Sequence, residues 1–236
     1  MLTFFVRVFV TPIAKVIWRP TIIGRENLLA TGGVVVASNH LSFIDSIVIS
    51  MLARRPVSFL AKEEYFTGTG VKGAISRSFF TSVGAIPVKR GAGQAAQEAL
   101  DAGLAKIQAG GAFSIYPEGT RSRDGRLYRG KTGVAWLALT AGVLVVPVAL
   151  TGTQNLQPVG SKRIRRAKIT IEFGEPMDLS SFGVAASGRA RRHATDALML
   201  RIQAMSGQEY VDHYNEPPPA TVRERVRRFF RTRAEL

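Results

Sequence analysis

The sequence predicts an α/β fold: a single domain with a central mixed sheet flanked by helices, plus an N-terminal amphipathic helix lying in an interface. Three observations carry this. Short apolar, β-branched runs alternate with longer stretches of helical periodicity. Hydrophobic residues make up 46% of the 236 positions, enough for one substantial core. No segment repeats another, so the alternation belongs to one sheet rather than to a stacked array.

Taken in order, residues 1–20 read as the interfacial helix. Thr3, Arg7, Thr11, Lys15 and Arg19 recur every four positions and form one narrow polar stripe on a helix. Phe4, Phe5, Val8, Phe9, Ile13, Val16, Ile17 and Trp18 fill the rest of its surface. A membrane-spanning helix needs about 20 mostly apolar residues. Here the longest uncharged run is Val8 to Ala14, and no small-residue cleavage site follows. The pattern suits a helix lying in the headgroup plane of a membrane, kinked at Pro12.

Residues 21–215 form the predicted domain. Strands are expected at Val34–Ala37, Val57–Ala61, Phe113–Tyr116, Val143–Leu150 and Ala167–Phe173, the last with Ala167, Ile169, Ile171 and Phe173 on one face. Helical stretches fall over 45–53, 92–109, 131–141 and 189–206. In residues 216–236, Pro217, Pro218 and Pro219 break the chain. Thr221 and Glu224 then cap a short helix with Val222, Val226, Phe229 and Phe230 on one face and arginines on the other.

The chain has 32 Lys and Arg against 17 Asp and Glu, a net charge of +15, and no cysteine. A disulfide framework, a thiolate zinc site and a cysteine nucleophile are therefore excluded. The excess charge favours polyanionic partners: nucleic acid, an anionic membrane surface or a phosphorylated substrate. It gathers in three clusters, Arg121–Lys131, Lys162–Lys168 and Arg223–Arg233. Each is equally a solvated face.

The loops that leave the strands carry the candidate chemistry, since sites in such sheets form at strand ends. After Val34–Ala37 comes Ser38-Asn39-His40-Leu41-Ser42-Phe43-Ile44-Asp45. Five positions apart, His40 and Asp45 would point about 140° apart on a straight helix, so they meet only across a turn. With Ser42 as the N-cap of the next helix, Asp45 points back toward His40. A carboxylate on one imidazole nitrogen fixes the tautomer and leaves the other nitrogen to accept a proton. Ser42-x-x-Asp45 is equally a helix capping box and by itself requires no catalytic meaning. The chain has no Cys, and neither Ser38 nor Ser42 is convincingly positioned as a nucleophile for the pair, which favours direct proton removal from a substrate hydroxyl. A second loop, Tyr116-Pro117-Glu118-Gly119-Thr120-Arg121-Ser122, offers a glycine turn, hydroxyls, amides and a guanidinium suited to a phosphate. A third run, Val83–Val88, ends in Lys89 and Arg90, and Lys62 follows Val57–Ala61.

Together and in this order, these segments resemble the glycerolipid acyltransferase family typified by 1-acylglycerol-3-phosphate acyltransferase. Asn39-His40-Leu41-Ser42-Phe43-Ile44-Asp45 matches its His-x₄-Asp block, and Gly84-Ala85-Ile86-Pro87-Val88-Lys89-Arg90 its second. Pro117-Glu118-Gly119-Thr120-Arg121-Ser122 matches its third block and Val146-Pro147-Val148 its fourth. The similarity runs over about residues 20–175, with Tyr116 and Pro87 as mild departures. The resemblance implies transfer of a fatty acyl group from acyl-CoA or acyl-carrier protein to the free hydroxyl of 1-acyl-glycerol 3-phosphate, giving phosphatidic acid in phospholipid synthesis. His40 would be the general base and Asp45 its orienting partner. Lys62 and Arg121 would hold the acceptor phosphate and Arg90 would add charge, while Glu118, Gly119 and Thr120 shape the loop around it. No metal or bound cofactor is required. The implied setting is peripheral or monotopic, on the cytoplasmic face of the cell membrane. The alternatives are the same chemistry on glycerol 3-phosphate or a glycosylated phospholipid, and, more remotely, a basic nucleic-acid-binding protein, which explains the charge but leaves His40 and Asp45 idle.

Overall fold

The computed structural model describes residues 8–9, 11–89, 94–158, 160–161 and 163–216. Arg90, Lys162, most of the predicted N-terminal helix before Thr11 and the predicted C-terminal helix lie outside the described residues.

The chain runs α1 (Thr11–Trp18), β1 (Thr21–Ile23), β2 (Val34–Ser38), α2 (Asp45–Leu52), β3 (Val57–Lys62), α3 (Glu64–Thr67), α4 (Gly70–Ser82) and β4 (Ala85–Val88). It continues through α5 (Gln94–Gln108), β5 (Ala112–Ile115), β6 (Leu127–Tyr128), α6 (Gly133–Ala141), β7 (Val145–Thr151) and α7 (Thr153–Leu156). The last described elements are β8 (Thr170–Phe173), α8 (Gly188–Ser206) and β9 (Tyr210–Val211). Seven strands form one sheet in the order β1-β8-β7-β2-β5-β3-β4. The five from β7 to β4 are parallel neighbours, and β8 joins β7 antiparallel, so the sheet is mixed as expected.

Why β2 reads as an uninterrupted apolar run follows from its place in the middle of this sheet. Val34 and Val36 pack into a cluster on one face, with Ile44, Val48, Ile49 and Leu52 from the α2 side. Val35 and Ala37 pack into a second cluster on the other face, with residues of α5, α6 and α8. A strand covered on both faces needs apolar side chains at every position. Helix α5 approaches closely at Gly103, where an added Cβ would lie 2.6 Å from the Phe113 ring.

Within residues 21–215 the expected strands and helices are present with shifted ends. The strand expected from Ala167 begins only at Thr170, though Ile169, Ile171 and Phe173 share the buried face as the alternation required. Sequence reading missed β1, α4 and the two-stranded β6–β9 sheet. Strands of two or three residues carry no periodic signal. Helix α4 went unread although Val71, Ile75 and Phe79 recur every four positions; in the fold that apolar stripe faces outward. After Pro12 helix α1 runs on to Trp18, while most of the stretch before Thr11, on which the expected kink bears, lies outside the described residues.

Candidate active site

Parallel strands bring their C-terminal ends to one edge of the sheet. The loops after β2 and β5, which are neighbours, meet there, and Lys62 closes β3 beside them. His40 lies in the first loop, and its Nδ1 is 2.9 Å from Asp45 Oδ2, which accepts the bond. The amides of Leu41 and Ser42 donate to the same oxygen at 2.7 and 2.8 Å. Asp45 is fully buried and opens α2, while the His40 side chain retains 15% of its exposure. The turn expected between them therefore exists, but it is not a complete capping box. Only the Asp45 half forms, because the Ser42 hydroxyl turns away to donate to the Gln157 carbonyl at 2.8 Å.

Asn39 shows why the residue before the histidine is buried. Its amide pairs with both the N–H and the C=O of Leu150, at 2.8 and 2.9 Å, and so ties the His40 loop to β7. Gln208, which follows α8, takes a further bond from Asn39 Nδ2 at 2.7 Å.

The second loop is braced against the first by Glu118. Its carboxylate is fully buried and accepts from the His40 amide at 3.0 Å and the Tyr128 amide at 3.1 Å. The Ser122 amide returns a bond to the His40 carbonyl at 2.7 Å. Among the residues grouped around the phosphate, Glu118 thus points inward and fixes the loop, while Gly119 is exposed at its tip. Burial pushes the Glu118 carboxyl up to about 7, against the two amide bonds and with help from the charges of Asp45 and Asp124. Gly119 takes φ +73°, a left-handed turn that a side chain would strain, and a Cβ there would lie 3.1 Å from the Lys131 side chain.

Lys62, Thr120 and Arg121 are half-buried around this edge, and neither cation is paired with a carboxylate among the described residues. Arg90 lies outside the described residues. Among the described residues no group of three or more His, Asp and Glu is arranged to hold a metal ion.

Sequence reading assigned no part to Tyr116, Gln208 or Asn215. The Tyr116 ring stacks flat on the His40 imidazole, centroids 3.8 Å apart and planes 12° from parallel. Its hydroxyl bonds Ser46 at 2.8 Å, and burial pushes its pKa well above the ordinary tyrosine value. Asn215 donates to the Arg121 carbonyl at 3.1 Å, and Gln208 donates to that of Gly125 at 2.6 Å. Only Tyr116 carried a signal, an aromatic side chain immediately before the Pro-Glu-Gly turn. The other two are remote in sequence and polar without pattern.

Residues 19–151, more than half of the chain, match the family model described as Acyltransferase. The chloroplastic 1-acyl-sn-glycerol-3-phosphate acyltransferase of Arabidopsis thaliana is 34% identical over 142 residues, 60% of this chain and 38% of that protein. The 1-acyl-sn-glycerol-3-phosphate acyltransferase of Bacillus subtilis is 26% identical over 186 residues, 78% of this chain and 86% of its own. Alignments to the plant and algal relatives span 38–52% of their length. The crystal structure of the 1-acyl-sn-glycerophosphate acyltransferase of Thermotoga maritima superposes with a TM-score of 0.61 at 24% identity, covering 84% of this chain and 80% of that one, a likeness of fold. The matched region holds the buried aspartate, the histidine it orients and the braced glycine loop, and the chain belongs to the acyltransferase family.

Proposed function

We propose that the protein transfers a fatty acyl group from acyl-CoA or acyl-carrier protein to the free hydroxyl of 1-acyl-glycerol 3-phosphate, forming phosphatidic acid. The observation that carries this is the bond from His40 Nδ1 to a buried carboxylate that already holds two loop amides. With Nδ1–H donated to Asp45, Nε2 is the free acceptor. It takes the hydroxyl proton as the oxygen attacks the thioester carbonyl, and the imidazolium that forms is stabilised by Asp45. Collapse of the tetrahedral adduct breaks the C–S bond, and the departing thiolate regains the proton from Nε2. No covalent enzyme intermediate is needed.

Lys62 and Arg121, two cations at the same sheet edge with no carboxylate partner among the described residues, supply the charge for the acceptor phosphate. Arg90 is proposed to add to it, while Gly119 and Thr120 shape the loop tip. An apolar cavity of about 200 Å³ runs along α2, with Ile47, Val48 and Met51 on its wall, and gives acyl chains a dry surface beside the site.

We place the protein peripherally on the cytoplasmic leaflet where such a substrate resides. No described helix is long and apolar enough to cross a membrane. Helix α1 instead exposes Ile13, Val16 and Ile17 outward while Thr11 of its polar stripe is buried, the reverse of a surface helix packed on its own domain. A membrane fraction offered lysophosphatidic acid, glycerol 3-phosphate or a glycosylated phospholipid with one labelled acyl-CoA tests the assignment. The expected product is phosphatidic acid from lysophosphatidic acid; no product from that acceptor would overturn the reading.

A further inference from the structure

The basic cluster Lys162–Lys168 is given no part in the chemistry above, yet the structure gives its described residues, 163–168, a place. Arg163, Arg165, Arg166 and Lys168 are all exposed, and none pairs with a carboxylate among the described residues. Their segment has no regular secondary structure and is pinned at two points. The Trp18 indole donates to the Arg165 carbonyl at 3.0 Å, and the Arg165 amide donates to that of Leu156 at 2.8 Å. The cations are therefore held beside α1 instead of trailing in solvent.

A second exposed element meets them. Helix α4 turns Val71, Ile75 and Phe79 outward at 77%, 63% and 39% exposure, and Ile164 within the basic segment is 52% exposed. Four-residue spacing puts the three α4 side chains on one stripe. Ala14 and Trp18 of α1, Phe79 of α4 and Ile164 line one and the same apolar cavity along α2. Three outward apolar surfaces and a row of unpaired cations thus surround a single mouth.

We infer that residues 163–168 and α4, together with α1, form one membrane-docking face whose occupant is an anionic bilayer, the basic segment reading the lipid charge and the apolar side chains entering the interface. Side chains with cations beside an exposed apolar rim complement an anionic headgroup layer above hydrocarbon, and a nucleic acid would leave the apolar half unused. The mouth of the cavity then opens against the leaflet, so a lysolipid reaches the site without passing through water. This rests on the membrane reading above, but goes beyond α1 by naming the element that sets lipid preference.

The test uses the full chain with liposomes of phosphatidylcholine alone or mixed with phosphatidylglycerol, read by sedimentation. The exposed substitutions Arg163→Gln, Arg165→Gln and Arg166→Gln are combined in one variant, and Val71→Ser with Ile75→Ser in another. The wild type is expected to prefer the anionic vesicles. The arginine variant should lose at least tenfold of its partitioning onto anionic vesicles while its binding to neutral ones stays unchanged, since each basic residue near a surface contributes severalfold. The α4 variant should bind both vesicle types more weakly. Unchanged anionic binding of the arginine variant would overturn the inference and leave the membrane reading intact, whereas a wild type that binds no vesicle would overturn both. Tight binding of an RNA oligonucleotide that the arginine variant loses, with vesicle binding unaffected, would also overturn it. Melting temperatures matching the wild type confirm that the variants report on the surface.

Discussion

The His40 corner and the Glu118–Arg121 loop sit against each other but are held in opposite ways. Asp45 gathers His40, Leu41 and Ser42 within five positions of itself, so the first corner is built from its own segment. The second loop is fixed by partners far away in sequence: Glu118 by the amides of His40 and Tyr128, Arg121 by Asn215, and Gly125 by Gln208. The contacts that orient the imidazole through its carboxylate are thus local, although Asn39, the His40 amide and the Ser42 hydroxyl anchor the corner to β7, Glu118 and Gln157. The loop proposed to hold the acceptor depends on the C-terminal segment that lies beyond the matched family region. Substitutions in the two should therefore separate chemistry from positioning.

The largest effect is expected in the first corner. His40→Ala should lower kcat about 10²–10⁴-fold, the usual worth of a general base, because only the proton acceptor is lost. Since the ring is partly exposed, circular dichroism and melting should show the fold retained. A variant that keeps its activity would end the distinction between the two regions.

Glu118 provides the next contrast, read in stability. Its ordinary value of 4.5 rises to about 7 in the fold. Below about pH 4.5 it is protonated in both states. Between there and about 7 the unfolded chain releases the proton while the folded chain keeps it, so this group's contribution to stability falls as pH rises, by on the order of 3 kcal/mol in total. Glu118→Gln should remove that slope, as seen in urea unfolding at a series of pH values. An unchanged slope would show that other groups govern it.

The smallest effect belongs to Arg121. Arg121→Ala should raise the acceptor KM about 10- to 150-fold and leave kcat nearly unchanged, since one charge-assisted bond is worth about 1.5–3 kcal/mol. A loss confined to kcat would move Arg121 from holding the acceptor to the reacting centre and blur the comparison.

How much was legible beforehand follows the same division. The His40–Asp45 meeting could be read because a five-residue spacing allows contact only across a turn, and the sequence supplied the turn. Ser42 was misplaced, since nothing in the motif says that its hydroxyl finds the Gln157 carbonyl instead of capping α2. Glu118 was grouped with the phosphate residues because its neighbours suit an anion, yet a loop side chain's direction is set by what packs above it. The stack of Tyr116 on His40 depends on β2 and β5 being neighbours, an order that local pattern does not contain.

By itself the sequence determined the alternation of strand and helix, the apolar run of β2, the histidine–aspartate turn and the glycine turn at 119, because each depends on residues within a few positions of one another. Only the tertiary structure decided that Asn39 is stitched to β7, that Glu118 looks inward and that the C-terminal segment braces the Arg121 loop. It also turned the apolar stripes of α1 and α4 outward beside the arginines of residues 163–166. Which side of an amphipathic helix meets the core is set by what else covers that core, and this requires the whole chain.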